Sequence, residues 1–317
     1  MKNRRIIYIL LPFAFPAGGV AVIYEHVEIL SRHGFRAFVA LPEKPAVDFY
    51  QTKAPLLIHH GNLNVQPGDI YVIPEDFRDY MEALRNVPAR KIMFCQNQYY
   101  LPFSDNPSAG FAEYHVDGLI VSSESLRNFF GDVYAMHDVP LIPCAVDTGL
   151  FSAKPHKVRQ IAYMPRKLPA EAAFIEATFK RMYKEYAEIP WVSISNKTRR
   201  EAAGILGISE VFLSLSHKDS FGLPPLEAMA CGCLVAGFHG DGGREYMNDR
   251  NGWWAETGDW LGAVRGLAKA LKLAEKGGGQ LEELRGEMAR TVGRYSTERM
   301  QRELLGFWEQ EIRTPFN

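Results

Sequence analysis

The sequence has no apolar run long enough to span a membrane. Its 317 residues contain no stretch of about 18 or more consecutive apolar side chains, the length that a transmembrane helix needs. Residues 1–5 are mostly basic and residues 6–15 are mostly apolar, which imitates the start of a signal peptide. Pro12 and Pro16 interrupt that run, so we favour a first buried β-strand that leads into a glycine loop.

The sequence contains few cysteines, and its net charge is close to zero. The four cysteines are Cys95, Cys144, Cys231 and Cys233, and none of them has the C-x-x-C spacing of a zinc or redox site. We interpret them as reduced, mostly buried thiols of a cytoplasmic protein. The net charge of −1 excludes a broad attraction to nucleic acid. It leaves open a peripheral contact with the inner face of the membrane.

Several catalytic signatures are missing as well. The sequence has no Walker, H-E-x-x-H or G-x-S-x-G pattern. A Rossmann oxidoreductase would carry G-x-G-x-x-G after its first strand, and this chain has Pro16-Ala-Gly-Gly-Val there instead. No opposed pair of carboxylates of the glycosidase kind stands out. These absences direct attention to binding chemistry that uses backbone groups and cations.

The composition is that of two ordinary globular domains. Apolar residues make up 47% and charged residues 23% of the chain, and the length fits two domains of the usual size. Strand and helix patterns alternate, which predicts mostly parallel, doubly wound α/β sheets. Strands are predicted at residues 5–11, 35–41, 56–60, 70–74, 91–95, 118–122, 141–144, 160–167, 191–195, 210–216 and 234–238. Helices are predicted at residues 20–33, 75–86, 123–130, 169–186, 197–206, 224–231, 261–276, 280–295 and 297–312.

The most informative stretch is residues 216–247, S-H-K-D-S-F-G-L-P-P-L-E-A-M-A-C-G-C and onward. It follows an apolar strand, turns at Gly222 and begins a helix at two prolines, which the first helical turn tolerates. Free N–H groups and the dipole at such a start attract a phosphate or diphosphate. Glu227, predicted in the first helical turn, can accept hydrogen bonds from a ribose. A Glu in the first turn also stabilises a helix by its interaction with the helix dipole. A purely structural role for Glu227 therefore stays open.

This stretch resembles the donor-site signature of retaining glycosyltransferases of the GT-B fold, group 1 or family 4. Their pattern is E-G-F-G-L-P-x-L-E-A-M-A-x-G, in which an acidic residue and a Glu are separated by seven residues. Asp219 and Glu227 take these positions, and Asp219-Ser220 replaces the usual Glu-Gly. Residues 142–151 partly resemble the segment that ends the family's first domain, and residues 240–245 resemble its G-G-x-x-E loop.

The resemblance implies a fold and a domain plan. It implies two Rossmann-like, doubly wound domains that face an interdomain cleft, with a C-terminal helix that crosses back. The predicted domains are residues 1–152, on the acceptor side, residues 153–295, on the nucleotide-sugar donor side, and residues 296–317, the returning helix. The second domain is short before the motif, so a strand–helix unit is expected to be absent or reduced there.

The resemblance also implies the site residues. Arg166 would neutralise the donor diphosphate together with Lys167, and Asp219 would orient the donor sugar, so Asp219 and Arg166 are the predicted catalytic residues. The predicted donor-binding residues are Gly18, Gly19, Arg166, Lys167, His217, Ser220, Phe221, Gly222, Leu223 and Glu227. Polar side chains that follow two strands of the first domain are the acceptor-side candidates: Glu75, Gln96 and Asn97.

The implied activity is transfer of a sugar from a nucleotide sugar to an acceptor hydroxyl with retention of configuration. We expect a UDP- or GDP-sugar as co-substrate, no cofactor and no metal, because Arg166 and Lys167 can serve the leaving group. The acceptor is expected to be a glycan, a lipid-linked molecule or a small molecule. The alternative is a subunit of the same fold that binds a nucleotide sugar without transferring it, which the Glu-to-Asp change at Asp219 motivates.

Overall fold

The computed structural model describes residues 4–13, 15–103 and 106–314. The chain forms two compact units. The first comprises Met1–Cys144 together with Glu298–Asn317, and the second comprises Ala145–Thr297. Each unit is built around one parallel sheet.

The first unit contains a six-stranded parallel sheet with the order β3-β2-β1-β4-β5-β6. Its strands are β1 (Arg5–Ile9), β2 (Arg36–Leu41), β3 (Leu56–Ile58), β4 (Ile70–Pro74), β5 (Arg90–Cys95) and β6 (Gly118–Val121). Every residue of β1 and β4 is buried, as expected where helices cover both faces of a parallel sheet. The strand order reverses between β1 and β4, and such a switch point opens a binding crevice at the carboxyl ends of the strands.

The described part of the first unit also contains four α-helices. They are α1 (Gly18–Arg32), α2 (Arg78–Ala83), α3 (Glu124–Tyr134) and the C-terminal helix (Thr297–Glu311). The C-terminal helix buries Trp308 completely, and the Trp308 indole N–H donates to the Tyr8 hydroxyl at 3.2 Å. This contact attaches the end of the chain to β1, the central strand of the first sheet.

The second unit contains a five-stranded parallel sheet with the order β11-β10-β9-β7-β8. Its strands are β7 (Val158–Tyr163), β8 (Trp191–Ser193), β9 (Ser209–Leu215), β10 (Leu234–Phe238) and β11 (Trp253–Ala255). Its helices are α4 (Pro169–Met182), α5 (Arg199–Ile208), α6 (Leu223–Ala230), α7 (Trp260–Lys276) and α8 (Gly279–Gly293). The order reverses between β7 and β9, so the switch point of this sheet, where such folds bind ligands, lies at the carboxyl ends of these two strands.

The predicted pair of doubly wound parallel sheets is confirmed, and three local predictions are corrected. Residues 141–144 form no strand, and Leu141 makes only an isolated bridge to Val121. The helix predicted over residues 75–86 shortens to α2, because the chain first turns after β4 and the buried Glu75 carboxylate binds the Gln96 N–H. Gly18 and Gly19 open α1 rather than forming a loop.

Candidate functional site

The two segments predicted to bind a donor diphosphate leave the second sheet at its switch point. Strand β7 ends at Tyr163, and Arg166 and Lys167 follow in the turn before α4. Strand β9 ends at Leu215, two residues beyond the register partner of Tyr163, and runs directly into the motif. The carboxyl ends of neighbouring parallel strands share one edge, so the cations and the motif lie side by side.

Lys167 and Asp219 are paired at this edge. The Lys167 ammonium forms an ion pair with the Asp219 carboxylate and donates to the His217 carbonyl at 3.3 Å. The other Asp219 oxygen accepts the His217 N–H at 3.2 Å. The two side chains are 24% and 23% exposed, so a ligand can still reach the pair. The structure therefore joins Lys167, His217 and Asp219, three of the predicted residues.

Two further cations lie in the same turns. Arg166 is exposed beside Lys167. Lys218, which the sequence analysis did not single out, is exposed between His217 and Asp219 with a positive φ of 48°. A non-glycine residue in this region costs about 1 kcal/mol or more, and such strain concentrates at binding sites. Lys218 could have been identified from the sequence as a candidate anion-binding residue, because it is a positively charged side chain inside the motif.

Gly222 determines how helix α6 begins. It is the N-cap with φ 85°, a left-handed conformation that favours glycine, and its carbonyl accepts the Tyr246 hydroxyl. The helix starts at Leu223, before both prolines. Because proline has no N–H, the free donors at this start come mainly from Leu223 and the turn before it. This helix start therefore offers fewer free N–H groups than an ordinary helix N-terminus.

Glu227 lies in the second turn of α6, which corrects the prediction of a first-turn position: the helix begins at Leu223, and its first turn contains no acidic residue. Glu227 is half-buried. Burial raises the pKa of its carboxyl group, and the nearby Arg199 guanidinium opposes that rise. Arg199 opens α5, after a strand that neighbours β7, and the sequence analysis missed it. No motif marks it, since its proximity to Glu227 arises only from the fold.

A second glycine-rich turn, residues 240–245, packs against the motif. The Gly242 N–H donates to the Asp219 carbonyl at 2.8 Å, and a Cβ on Gly242 would lie 1.9 Å from the Ser220 carbonyl carbon. Ser220 is 2% exposed and Phe221 is 4% exposed. The Phe221 ring packs against Tyr246 and Tyr295 with centroids 5.3 and 5.0 Å apart. These two predicted donor-binding residues are therefore buried in the structure.

The acceptor-side candidates meet at the carboxyl edge of the first sheet. The buried Glu75 carboxylate accepts the Gln96 N–H at 3.1 Å, and the Gln96 side chain donates to the Gly19 carbonyl at 3.2 Å. A Cβ on Gly19 would lie 3.2 Å from that amide, which is why glycine suits this helix start. Burial, and to a smaller extent the charge of Asp76, raises the pKa of Glu75 to about 8. Gly18 lies one residue earlier and is exposed.

Asn97 has a different role in the same turn. Its side-chain oxygen accepts the Tyr99 N–H at 3.1 Å, which caps the short 3-10 helix Gln98–Tyr100. Asn97 is 7% exposed, so its amide mainly shapes the loop. The structure thus brings Glu75, Gln96 and Gly19 together directly, and places Asn97 next to them as a loop-ordering residue.

Within residues 4–13, 15–103 and 106–314, no group of three or more His, Cys, Asp or Glu side chains is arranged to hold a metal ion. The helices of that same part of the chain are all too short or too polar to cross a bilayer.

Comparison with known proteins now gives this geometry a context. Residues 191–289 match the family model of group 1 glycosyl transferases, a segment that includes the entire motif and Arg199. An alpha-1,6-glucosyltransferase of Actinobacillus pleuropneumoniae serotype 7 (strain AP76) is 27% identical over 263 residues, which cover 80% of this chain and 79% of that protein.

Solved structures extend the likeness to nearly the whole chain. A glycosyltransferase from Rickettsia africae ESF-5 superposes with a TM-score of 0.75 at 15% identity, covering 99% of this chain and 100% of the other. HepE from Anabaena, solved in complex with UDP-glucose, gives a TM-score of 0.71 at 12% identity, with 97% and 100% covered. The structures show the fold, which is GT-B. Together with the family match and the glucosyltransferase relative, they indicate a glycosyltransferase.

Proposed function

We propose that the protein transfers a hexosyl group, with glucose as the first candidate, from a UDP-sugar to an acceptor hydroxyl with retention of configuration. The carrying observation is that Lys167, at the end of β7, meets Asp219 of the motif at the end of β9. Support for glucose and UDP comes from the glucosyltransferase relative and from the UDP-glucose complex of HepE. The assignment to the retaining family 4 rests on the resemblance of the motif.

In this proposal the second unit binds the donor. The N–H groups around Gly222 and Leu223 and the cations Arg166 and Lys167 bind the diphosphate. Glu227 binds the ribose hydroxyls, and Arg199 favours the ionised form of Glu227 against its burial. Asp219 faces the donor sugar, and its partner Lys167 shifts toward the phosphate when the donor enters.

The chemistry follows from the leaving group. When the bond between the anomeric carbon and the phosphate oxygen breaks, negative charge builds on the diphosphate, and the cations stabilise that charge. The acceptor oxygen forms its bond on the face that the diphosphate leaves, and the hydroxyl proton leaves with the nucleotide. The charge on the leaving group is met by side chains and backbone amides, so we propose a reaction that needs no cofactor.

A non-catalytic, nucleotide-sugar-binding subunit is the second candidate. The observation that favours it is the Asp219-Ser220 pair, in place of the family's Glu-Gly, with Asp219 engaged by Lys167. Such a subunit would bind the donor as well as an enzyme does, so binding alone does not separate the two candidates.

The test has two stages. Thermal-shift measurements with UDP-, GDP-, ADP- and dTDP-sugars identify the donor, since a ligand at about 100 times its Kd stabilises by about 2.7 kcal/mol. The selected donor, labelled in its sugar, is then incubated with candidate acceptors, and the anomeric configuration of the product is read by NMR. An α-linked product from an α-linked donor supports the proposal. Donor binding without sugar release supports the subunit, and an inverted product rules out the retaining assignment.

A further inference from the structure

Exposed aromatic side chains are concentrated at one edge of the first unit. Phe15 is 38% exposed, Tyr99 44%, Tyr100 49% and Phe103 57%. Among the residues that the structure describes, the only other aromatic side chain as exposed as these is Phe174, at 50%, in the second unit. Large exposed apolar side chains gathered in one place indicate a binding surface, whereas isolated ones do not.

These four residues, which we call the aromatic edge, lie in two segments beside the acceptor-side candidates. Phe15 lies in the segment that follows β1, and the other three lie in residues 98–103, which follow β5. Strand β4, which ends next to Glu75, lies between β1 and β5 in the sheet. The Gln96 amide joins the two segments through its hydrogen bond to the Gly19 carbonyl.

The segments that carry these rings are held in place by local contacts. Phe15 contacts the Phe13 ring, with centroids 5.9 Å apart, and Phe13 packs against the hydrophobic core of the unit. The Tyr99 N–H binds the Asn97 side chain, and the Arg78 guanidinium binds the Pro102 carbonyl at 3.1 Å. An ordered backbone beneath the rings reduces the entropy cost of binding, because less of each segment remains to be immobilised.

The chemistry of this edge selects its ligand. A pyranose ring has an apolar face of C–H groups, which packs on an aromatic face, and a rim of hydroxyls, which bind amides and carboxyl groups. The aromatic edge supplies the rings, and Gln96, which is partly exposed, supplies an amide beside them. Residues 10–17 and 96–103 contain no Lys or Arg, and the neighbouring Arg78 guanidinium is bound to the Pro102 carbonyl. Neither segment itself therefore supplies a cation for an anionic lipid surface or a phosphorylated acceptor.

We propose that the aromatic edge binds the sugar ring of a neutral saccharide and that the acceptor is therefore a glycan. The proposal rests on the proposed function, because it assigns the acceptor class of the same enzyme. Tyr99 and Tyr100 provide the stacking surface, and the partly exposed Gln96 amide provides a hydrogen-bonding group on the same segment.

The first experiment measures saccharide binding without a donor. Saturation-transfer NMR of the full chain with maltose, isomaltose, cellobiose and lactose should show transfer to ring C–H protons of at least one sugar. The variant Tyr99→Ala/Tyr100→Ala should raise the Kd about tenfold or more, whereas Phe174→Ala, an equally exposed ring elsewhere, should not change it. Tyr99→Trp, which keeps an aromatic face, should retain binding.

A second measurement separates this proposal from the donor site. The thermal shift produced by UDP-glucose should be the same in wild type and in the double-alanine variant. Unchanged saccharide binding in that variant, or no binding of any tested sugar to the wild type at about 10 mM, would overturn the inference. The inference would also be overturned if the wild type co-sedimented with phosphatidylglycerol vesicles and the double-alanine variant did not, while that variant still bound saccharide. If UDP-glucose produced no thermal shift in the wild type, that result would count against the proposed function only.

Discussion

Replacing Glu75 by Gln should change how the stability of the protein depends on pH. Glu75 is 4% exposed, and burial raises the pKa of its carboxyl group from 4.5 to about 8. The folded chain therefore keeps a proton there that the unfolded chain releases above pH 4.5. Because the folded state binds the additional proton, its stability falls as the pH rises between these two values.

The size of this effect follows from the same shift. Each pH unit in the window lowers the free energy of unfolding by about 1.4 kcal/mol, so the total loss is roughly 4–5 kcal/mol. Gln has nearly the same shape, and its carbonyl oxygen can still accept the Gln96 N–H. The Glu75→Gln variant should therefore equal the wild type near pH 5 and exceed it by several kcal/mol at pH 8.

Urea denaturation of both proteins at pH 5, 6, 7 and 8 measures the difference directly. Repeating the series in about 0.5 M salt provides the control, because salt screens exposed charges and leaves the burial of Glu75 unaffected. A difference between the two proteins that stays constant from pH 5 to pH 8 would refute the argument that Glu75 is protonated by burial.

Two further substitutions test the predicted donor site at the ends of β7 and β9. Lys167→Met should weaken UDP binding about 10- to 100-fold, measured by calorimetry. The same change should alter the free energy of unfolding by less than about 1 kcal/mol, because both side chains of the Lys167–Asp219 pair are in contact with solvent, each about a quarter exposed. Unaltered UDP affinity would contradict the role assigned to Lys167. Gly242→Ala should destabilise by more than about 2 kcal/mol in the same denaturation assay, since its Cβ would collide with the Ser220 backbone. Its control is Gly204→Ala in α5, where no atom lies within 4 Å, which should raise stability by up to about 1 kcal/mol; a similar loss in both variants would refute the steric argument.

Much of the fold could be predicted because buried parallel strands are short apolar runs and helices carry a different period. Strand β4 occupies the predicted residues 70–74, and the C-terminal helix begins at the predicted Thr297. The two switch points also follow from an alternating strand–helix order once the sheets are assembled. All four cysteines are free and buried, as predicted.

The errors arose where tertiary contacts override local pattern. Glycines usually mark loops, yet Gly18 and Gly19 begin a helix because Gln96, far along the chain, packs against that turn. Prolines mark the first helical turn, but α6 starts one residue earlier because Gly222 adopts φ 85°, which moves Glu227 into the second turn. Neither Gln96 nor the conformation of Gly222 leaves a periodic signal in the sequence.

Candidate site residues could be named from the sequence where a motif marks them, and not where the fold alone brings a residue close to them. Asp219 and Glu227 follow from spacing, and Lys167 from its place at a strand end. Arg199 could not be predicted, because its proximity to Glu227 depends on β8 lying next to β7 in the sheet. The buried state of Phe221 was equally hidden, since its partners Tyr246 and Tyr295 come from later segments.

The most direct test of the central claim is calorimetric titration of UDP-glucose into wild type and Glu227→Ala. If the edge formed by the ends of β7 and β9 binds the nucleotide, losing a charged hydrogen-bonding group should weaken binding by roughly 1.5–3 kcal/mol, or about 10- to 150-fold. Equal affinities in the two proteins would show that the nucleotide binds elsewhere and would contradict the account.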